Sequence, residues 1–493
     1  MELCLSTMTE PVKTNTFFSI FWSILSKWSS KLIGMVSTIV LARLLTPADF
    51  GIIAMATIVV ALLESMTQAG LNLYILRYKS HDERVFNAAW TVGIIQAFVV
   101  ALPLVLLAPL IADFYSQPVL IEVIYCLALV RVIQGLNNFG IFIAQKEMNF
   151  KVDFVLTLWT RLSYLTATIG FAWYLESFWA LVFGQLLSAF VGCALSYYLH
   201  PYRPKLSLYN WRDMLKYSKA TVPLSIGRYI NNQADVAIVG RVASAQFLGI
   251  YHVAVNLAGL FTKELLMPVI RGLIPNLSVL RDEKNFKDIL LTTFAAAVYV
   301  FFPVGLGLSL VAPEFITVLL GEKWLEAIPL LKWFSLYAML AGMMMFFSEQ
   351  FLVMMEREVL SNRLMWARNA ILVTTIFLTI SYLDVNQLPK MLFLSSLVSL
   401  PMILFSISRS LELSLIKILV SWLPALAGGA AMYGVLHWVA FPENWLTIAV
   451  LVLKVALGGA SYASVVLLLF VLRGKPQDTL ESAILNKILA KIN

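Results

Sequence analysis

Leu41–Ala56 reads LARLLTPADFGIIAMA, and Val239–Ala254, 198 residues further on, reads VGRVASAQFLGIYHVA. Taken in register, Arg43 falls on Arg241, Thr46 on Ser244, Gly51 on Gly249 and Ala56 on Ala254. Each stretch starts at the end of one apolar run and enters the next. Weaker echoes follow in the same order: ILR at 75–77 with VLR at 279–281, and Ala108-Pro109 with Ala312-Pro313. An ordered series of matches points to an internal duplication.

The runs around these stretches set the solvent. The chain has 493 residues, 60% apolar and 13% charged, where a soluble domain carries about 25% charged residues. An apolar excess of this size would aggregate in water, and a bilayer removes the problem. A helix crosses the hydrocarbon with about 20 apolar residues. Fourteen segments qualify: 17–43, 48–73, 87–110, 119–144, 153–175, 177–199, 216–241, 246–273, 287–311, 327–348, 367–384, 388–407, 416–439 and 445–472. Twelve is the alternative count, with 153–199 and 367–384 the weakest segments. The predicted fold is an all-α polytopic membrane protein. The N-terminus lacks the basic region and cleavage site of a signal peptide, so the first segment is expected to stay as a span.

Lys and Arg test the count. With fourteen spans, one face holds Arg77, Lys79, Arg84, Lys146, Lys151, Arg203, Lys205, Arg212, Lys216, Arg281, Lys284, Lys287, Arg357, Arg363, Arg368, Arg409, Lys417, Lys13 and four tail cations. The other face holds Arg43, Arg241, Lys323 and Lys390. By the positive-inside rule both termini lie in the cytoplasm. The net charge of +8 therefore reads as topology signal, and nucleic acid is not an expected partner. Both repeats start on the same side, so they are parallel. The expected organisation is an N-terminal lobe at 1–200, a C-terminal lobe at 201–410, two added spans at 411–473, and an amphipathic tail at 474–493 carrying Leu480, Ile484, Ile488 and Ile492 at helical spacing. Trp90, Trp179, Trp211, Trp324 and Trp445 near span ends read as interfacial anchors.

Polar residues inside spans carry the functional signal. An ionised group near the bilayer centre costs roughly 2.5–3.5 kcal/mol on insertion scales. Span 1 places Ser19, Ser23, Lys27, Ser30, Lys31, Gly34 and Ser37 on one helical face, and span 7 places Thr221, Ser225, Arg228, Asn232 and Asp235 on another. At the repeat offset the two stripes superimpose. They are expected to line a hydrophilic cavity. Lys27, Lys31, Arg131, Arg161, Arg228 and Lys263 outnumber the carboxylates Glu64, Asp235 and Glu264. These cations read as a binding set for an anionic substrate such as a diphosphate, which Arg grips in bidentate fashion; snorkelling and structural pairing are the other reading. The carboxylates read either as partners of those cations or as sites for a coupling proton or Na⁺. Lys332 and Lys454 read as snorkelling or structural. Three cysteines (Cys4, Cys126, Cys193) and four scattered histidines (His81, His200, His252, His437) make neither a disulfide framework nor a metal site, so no cofactor is expected.

The run KLIGMVSTIVLARLLTPADFGIIAMATIVV at 31–60 resembles the first two helices of bacterial polysaccharide flippases of the Wzx type, particularly the colanic-acid-exporter-like branch. LGEKWLEAIPLLKWFSLYAML at 320–340 resembles that family's entry into span 10. The resemblance implies membership of the exporter superfamily that also holds multidrug antiporters and the peptidoglycan-precursor flippase. It implies two lobes in a V, alternating access, and an undecaprenyl-diphosphate-linked oligosaccharide as cargo, with membrane lipids and polysaccharide polymerase machinery as partners. Lys27, Lys31 and Arg228 are the positions that fit the family's cationic cavity residues.

Three functions compete. The favoured one is a flippase of the bacterial inner membrane serving surface polysaccharide biosynthesis, which is not an enzyme. A cation-coupled drug or metabolite antiporter of the same architecture is the alternative, but a cationic drug favours an acidic cavity and this one reads basic. A membrane-embedded glycosyltransferase or polymerase lacks the large loop and the acid, base or metal constellation it needs.

Overall fold

The computed structural model describes residues 10–67, 71, 74, 75, 78, 82–264, 286–439, 441, 442 and 445–472. All regular structure among them is helical. The amphipathic tail, the 75–77/279–281 echo and the side chains of Lys263 and Glu264 lie outside the described residues.

The chain forms two compact units, Met1–His252 and Val253–Asn493. The first holds α1 (Glu10–Leu44), α2 (Pro47–Thr67), α3 (Glu83–Tyr115), α4 (Leu120–Gly135), α5 (Gly140–Lys146), α6 (Phe150–Leu175), α7 (Trp179–Leu199), α8 (Trp211–Val242) and the first turns of α9 (Ala245–Gly259). The second holds the rest of α9, a π-helical turn (Leu260–Glu264), α10 (Phe286–Leu310), α11 (Ala312–Leu319), α12 (Ala327–Met345), a second π-helical turn (Phe346–Phe351), α13 (Glu358–Tyr382), α14 (Leu388–Leu411), α15 (Leu415–Trp438) and α16 (Thr447–Leu472). The lobes bounded at 200, 410 and 473 are a proposal drawn from the repeat, and the contact boundary at 252 is a separate property.

Each of the fourteen segments overlaps a helix among the described residues. Among the described residues eleven helices are long and apolar enough to cross a membrane, and the α4–α5 pair, bent by 55°, passes as a twelfth. The remaining segments, 153–175 and 216–241, lie on α6 and α8, which are long but less apolar. The helices are thus compatible with fourteen spans. Segment 367–384 is longer than its hydropathy suggests, because α13 begins at Glu358 and its first turns carry Arg363 and Arg368. On α3, Leu102, Leu106 and Leu110 are 60%, 67% and 64% exposed. A stripe of bare leucine at helical spacing requires lipid as its solvent.

The repeated stretch has a mechanical explanation. Thr46 caps α2: its N–H and hydroxyl both donate to Asp49 Oδ2, at 2.9 and 2.6 Å. The Asp49 N–H returns to Thr46 Oγ1 at 3.4 Å. This is a capping box with Asp in the acidic position, and Pro47 takes the first helical position, where no N–H is needed. Asp49 Oδ1 also accepts from the Phe178 N–H at 2.9 Å, which ties α2 to the start of α7. In the second copy Ser244 caps α9, accepting from the Phe247 N–H at 3.2 Å.

The glycines are where the two copies touch. A Cβ on Gly51 would collide with the carbonyl oxygen of Ala245, and one on Gly249 with the carbonyl oxygen of Pro47. Pro47 and Ala245 are themselves repeat partners, so the contact is reciprocal about a local two-fold relation. The duplication read in the sequence is therefore expressed as a pseudo-symmetric crossing of α2 and the first turns of α9.

In the second unit the core is aromatic. Phe294, Phe347, Phe351 and Trp422 pack together, with Phe347 stacked on Trp422 at 6.0 Å. Gly321 turns the chain at φ 91°, a conformation L-residues avoid. This turn delivers Trp324 into the interior, where it is fully buried. Trp324 is therefore a core residue and not an interfacial anchor.

Candidate functional site

A cavity of 720 Å³ lies within the Met1–His252 unit. Four helices supply most of its wall by the same device, small or polar residues at helical spacing, with Thr67 of α2 and Phe142 of α5 beside them. From α3 come Gly93, Gln96 and Ala97, and from α4 Arg131, Gln134 and Gly135. From α6 come Thr157, Thr160, Arg161 and Tyr164, and from α7 Gln185, Ser188, Ala189 and Gly192. Small residues let the backbones approach, as is usual in lipid: a Cβ on Gly135 would collide with that of Ala97, and one on Gly184 with the Thr168 hydroxyl.

The break between α4 and α5 closes one end, and Asn138 organises it. Its N–H donates to Ser196 Oγ at 2.9 Å, its Oδ1 accepts from the Gly140 N–H at 2.8 Å, and its Nδ2 donates to the Tyr202 carbonyl at 2.6 Å. The segment after α7 is strapped down alongside. Tyr202 Oη donates to Asn87 Oδ1 at 2.6 Å, and the Ser207 N–H donates to Thr91 Oγ1 at 2.9 Å. His200 Nδ1 accepts from the Tyr202 N–H at 3.1 Å. Burial holds this imidazole below the usual histidine range, which keeps Nδ1 available as an acceptor.

Two of the cations named from sequence meet in this cavity. Arg131 pairs with Glu64 at 3.0 Å and donates to Gln134 Oε1 at 2.6 Å. Arg161 faces the cavity with no ion pair or hydrogen bond among the described residues. Arg131 Nε and Asn137 Oδ1 are buried with no hydrogen-bond partner among the described residues. Lys27, Lys31 and Arg228 stand elsewhere, exposed on α1 and α8. On α1 the buried Ser26 turns the other way and donates to Asp153 Oδ2 on α6 at 3.3 Å. Asp235 is buried and accepts from the Tyr251 hydroxyl at 3.0 Å.

Sequence reasoning missed other members. Gln96, Gln134, Asn137, Asn138 and Gln185 escaped because an amide carries no charge and so leaves no mark on a count of ionised groups within spans. An isolated Gln inside a span is the signal that finds them. It also missed that Arg368 leaves the inner loop for the interior: its guanidinium meets Glu349 at 3.2 Å, each side chain 8% exposed. Lys454, read as snorkelling or structural, pairs with Glu314 at 2.5 Å.

Comparison with known proteins adds three findings. The profile of a family described as polysaccharide biosynthesis protein matches residues 40–329. Among curated relatives, an "Uncharacterized membrane protein in cps region" of Klebsiella pneumoniae is 27% identical over 65% of this chain and 67% of its own length. The "Lipopolysaccharide biosynthesis protein WzxC" of Escherichia coli K12 is 26% identical over 61% of this chain and 62% of its own length. This chain thus spans about two thirds of these relatives. Among solved structures, "Lipid II flippase MurJ, inward closed conformation" superposes with a TM-score of 0.67 at 12% identity, covering 92% of this chain and 99% of that one. At that identity the likeness is one of fold.

Proposed function

The chain belongs to the family of polysaccharide biosynthesis proteins, and from that premise we propose that it translocates a lipid-linked oligosaccharide for surface polysaccharide assembly. The observation that supports this most is the set of cations exposed along two long helices: Lys27 and Lys31 on α1, and Arg228 on α8. Charge inside a membrane is costly, and a diphosphate would add charge-assisted hydrogen bonds to the cations it meets there.

In this reading the diphosphate sits on those cations and the glycan occupies water-filled space. The polyprenyl tail stays in the bilayer, where its apolar carbons lose nothing. Access alternates between the two faces, and no covalent bond is made or broken. The chain sits in the bacterial inner membrane with both termini cytoplasmic, and the polymerase that consumes the flipped unit is its functional partner. Lys263 would add to the cationic set. Glu64, Asp235 and Glu264 are the groups through which a proton or Na⁺ gradient would act.

The test is single substitution of Lys27, Lys31 and Arg228 by Ala, with surface glycan and membrane protein level measured together. Loss of glycan at unchanged protein level is the expected result. Wild-type glycan in all three variants sinks the cationic site. Sensitivity to cationic drugs, altered by deleting the chain, would favour the antiporter alternative.

A further inference from the structure

The cavity of the Met1–His252 unit has a different chemistry from the cationic stripes. Its polar wall is mostly neutral. An amide presents a donor and an acceptor side by side, and hydroxyls do both jobs at once. Gln96 lies on α3, Tyr164 on α6, Gln185 and Ser188 on α7, and Asn137 in the break between α4 and α5. Leu71, Phe139, Phe142 and Leu156 supply an apolar part of the lining, but a lipid tail alone would strand the polar groups beside them.

The charges narrow the ligand further. Arg131 is neutralised by Glu64, so one guanidinium, Arg161, faces the cavity without an ion pair among the described residues. One free positive charge does not balance a diphosphate. It repels a cation, and the nearest carboxylate is already engaged by Arg131. The ligand that satisfies both the hydroxyl-matching wall and the single cation is rich in hydroxyls and carries one negative charge. The volume of 720 Å³ falls within the roughly 300–1,000 Å³ usual for small-molecule sites.

We infer that this cavity is a glycan subsite that takes an acidic sugar, a hexuronate, whose carboxylate meets Arg161 while its hydroxyls meet the amides and Ser188. This rests on the proposed function, since it assigns the sugar of the cargo a place apart from its diphosphate.

The experiment uses the purified full-length protein, with methyl β-D-glucuronide and methyl β-D-glucoside as probes in saturation-transfer NMR titrations. A charge-assisted hydrogen bond predicts roughly tenfold tighter binding of the glucuronide. Arg161→Gln should bring the glucuronide down to the level of the glucoside and leave the glucoside unchanged. Arg161→Lys should keep most of the preference, and Gln185→Leu should weaken both sugars. Wild-type protein that binds neither sugar, or an Arg161→Gln variant that keeps the full preference, overturns the inference. Complementation separates this failure from that of the function. If wild type restores surface glycan to cells lacking the chain yet binds neither sugar, the subsite is wrong and the flippase reading stands. If it restores no glycan but binds the glucuronide through Arg161, the subsite survives and the flippase reading falls.

Discussion

Gly51 and Gly249 are each placed where a single methyl group would strike a backbone carbonyl, that of Ala245 or of Pro47. A backbone atom cannot swing aside as the end of a long side chain can. Relief requires that α2 and α9 separate, which also disturbs the capping box at Thr46 and Asp49. Gly51→Ala and Gly249→Ala should each destabilise the protein by about 1–3 kcal/mol, the usual cost of overpacking. Both strain one crossing, so the double variant should lose less than the sum of the singles. Thermal unfolding of the purified variants measures this. A Gly51→Ala protein as stable as wild type, or strict additivity, would show that the crossing is looser than described. The matched glycines were legible in the sequence. Their mutual contact was not, because a repeat tells which residues correspond and not which ones touch.

At the level of the element, α13 and the π-helical turn Phe346–Phe351 depend on each other. The widened turn carries Glu349, and Arg368, three turns into α13, reaches it at 3.2 Å. π-helical turns often mark functional sites. Here the turn sets a carboxylate opposite a buried guanidinium. Arg368→Met takes the guanidinium away from a buried carboxylate and should cost about 3–5 kcal/mol. Adding Glu349→Leu should recover most of the loss, since a pair of apolar side chains needs no partner. Unfolding of the single and double variants decides it, and a double variant no better than Arg368→Met refutes the pairing argument. The sequence placed Arg368 in an inner loop because charge near a span end is ordinarily exposed. Only a partner on another helix makes its burial tolerable, and no local pattern announces such a partner.

For the whole molecule the checkable statement is orientation. With Cys4, Cys126 and Cys193 replaced by Ser, Glu176→Cys and Lys323→Cys should react with a membrane-impermeant maleimide in intact spheroplasts. Lys205→Cys and Glu412→Cys should react only after permeabilisation, and the reverse pattern would invert the topology. The sequence by itself determined the solvent and the helices, and it raised the expectation of a parallel duplication and of cations within spans. Each of these follows from composition, period or charge along the chain, and such properties survive without knowledge of what packs on what. Tertiary structure alone decided that Glu64 neutralises Arg131, that Arg161 faces a wall of amides, and that Asn138 holds the break at one end of the cavity. It also took Trp324 from the membrane interface into the core. These are pairings between residues far apart in sequence, fixed by which helix faces meet. A one-dimensional pattern carries the cost of placing a polar group in the membrane but not the identity of the group that compensates it.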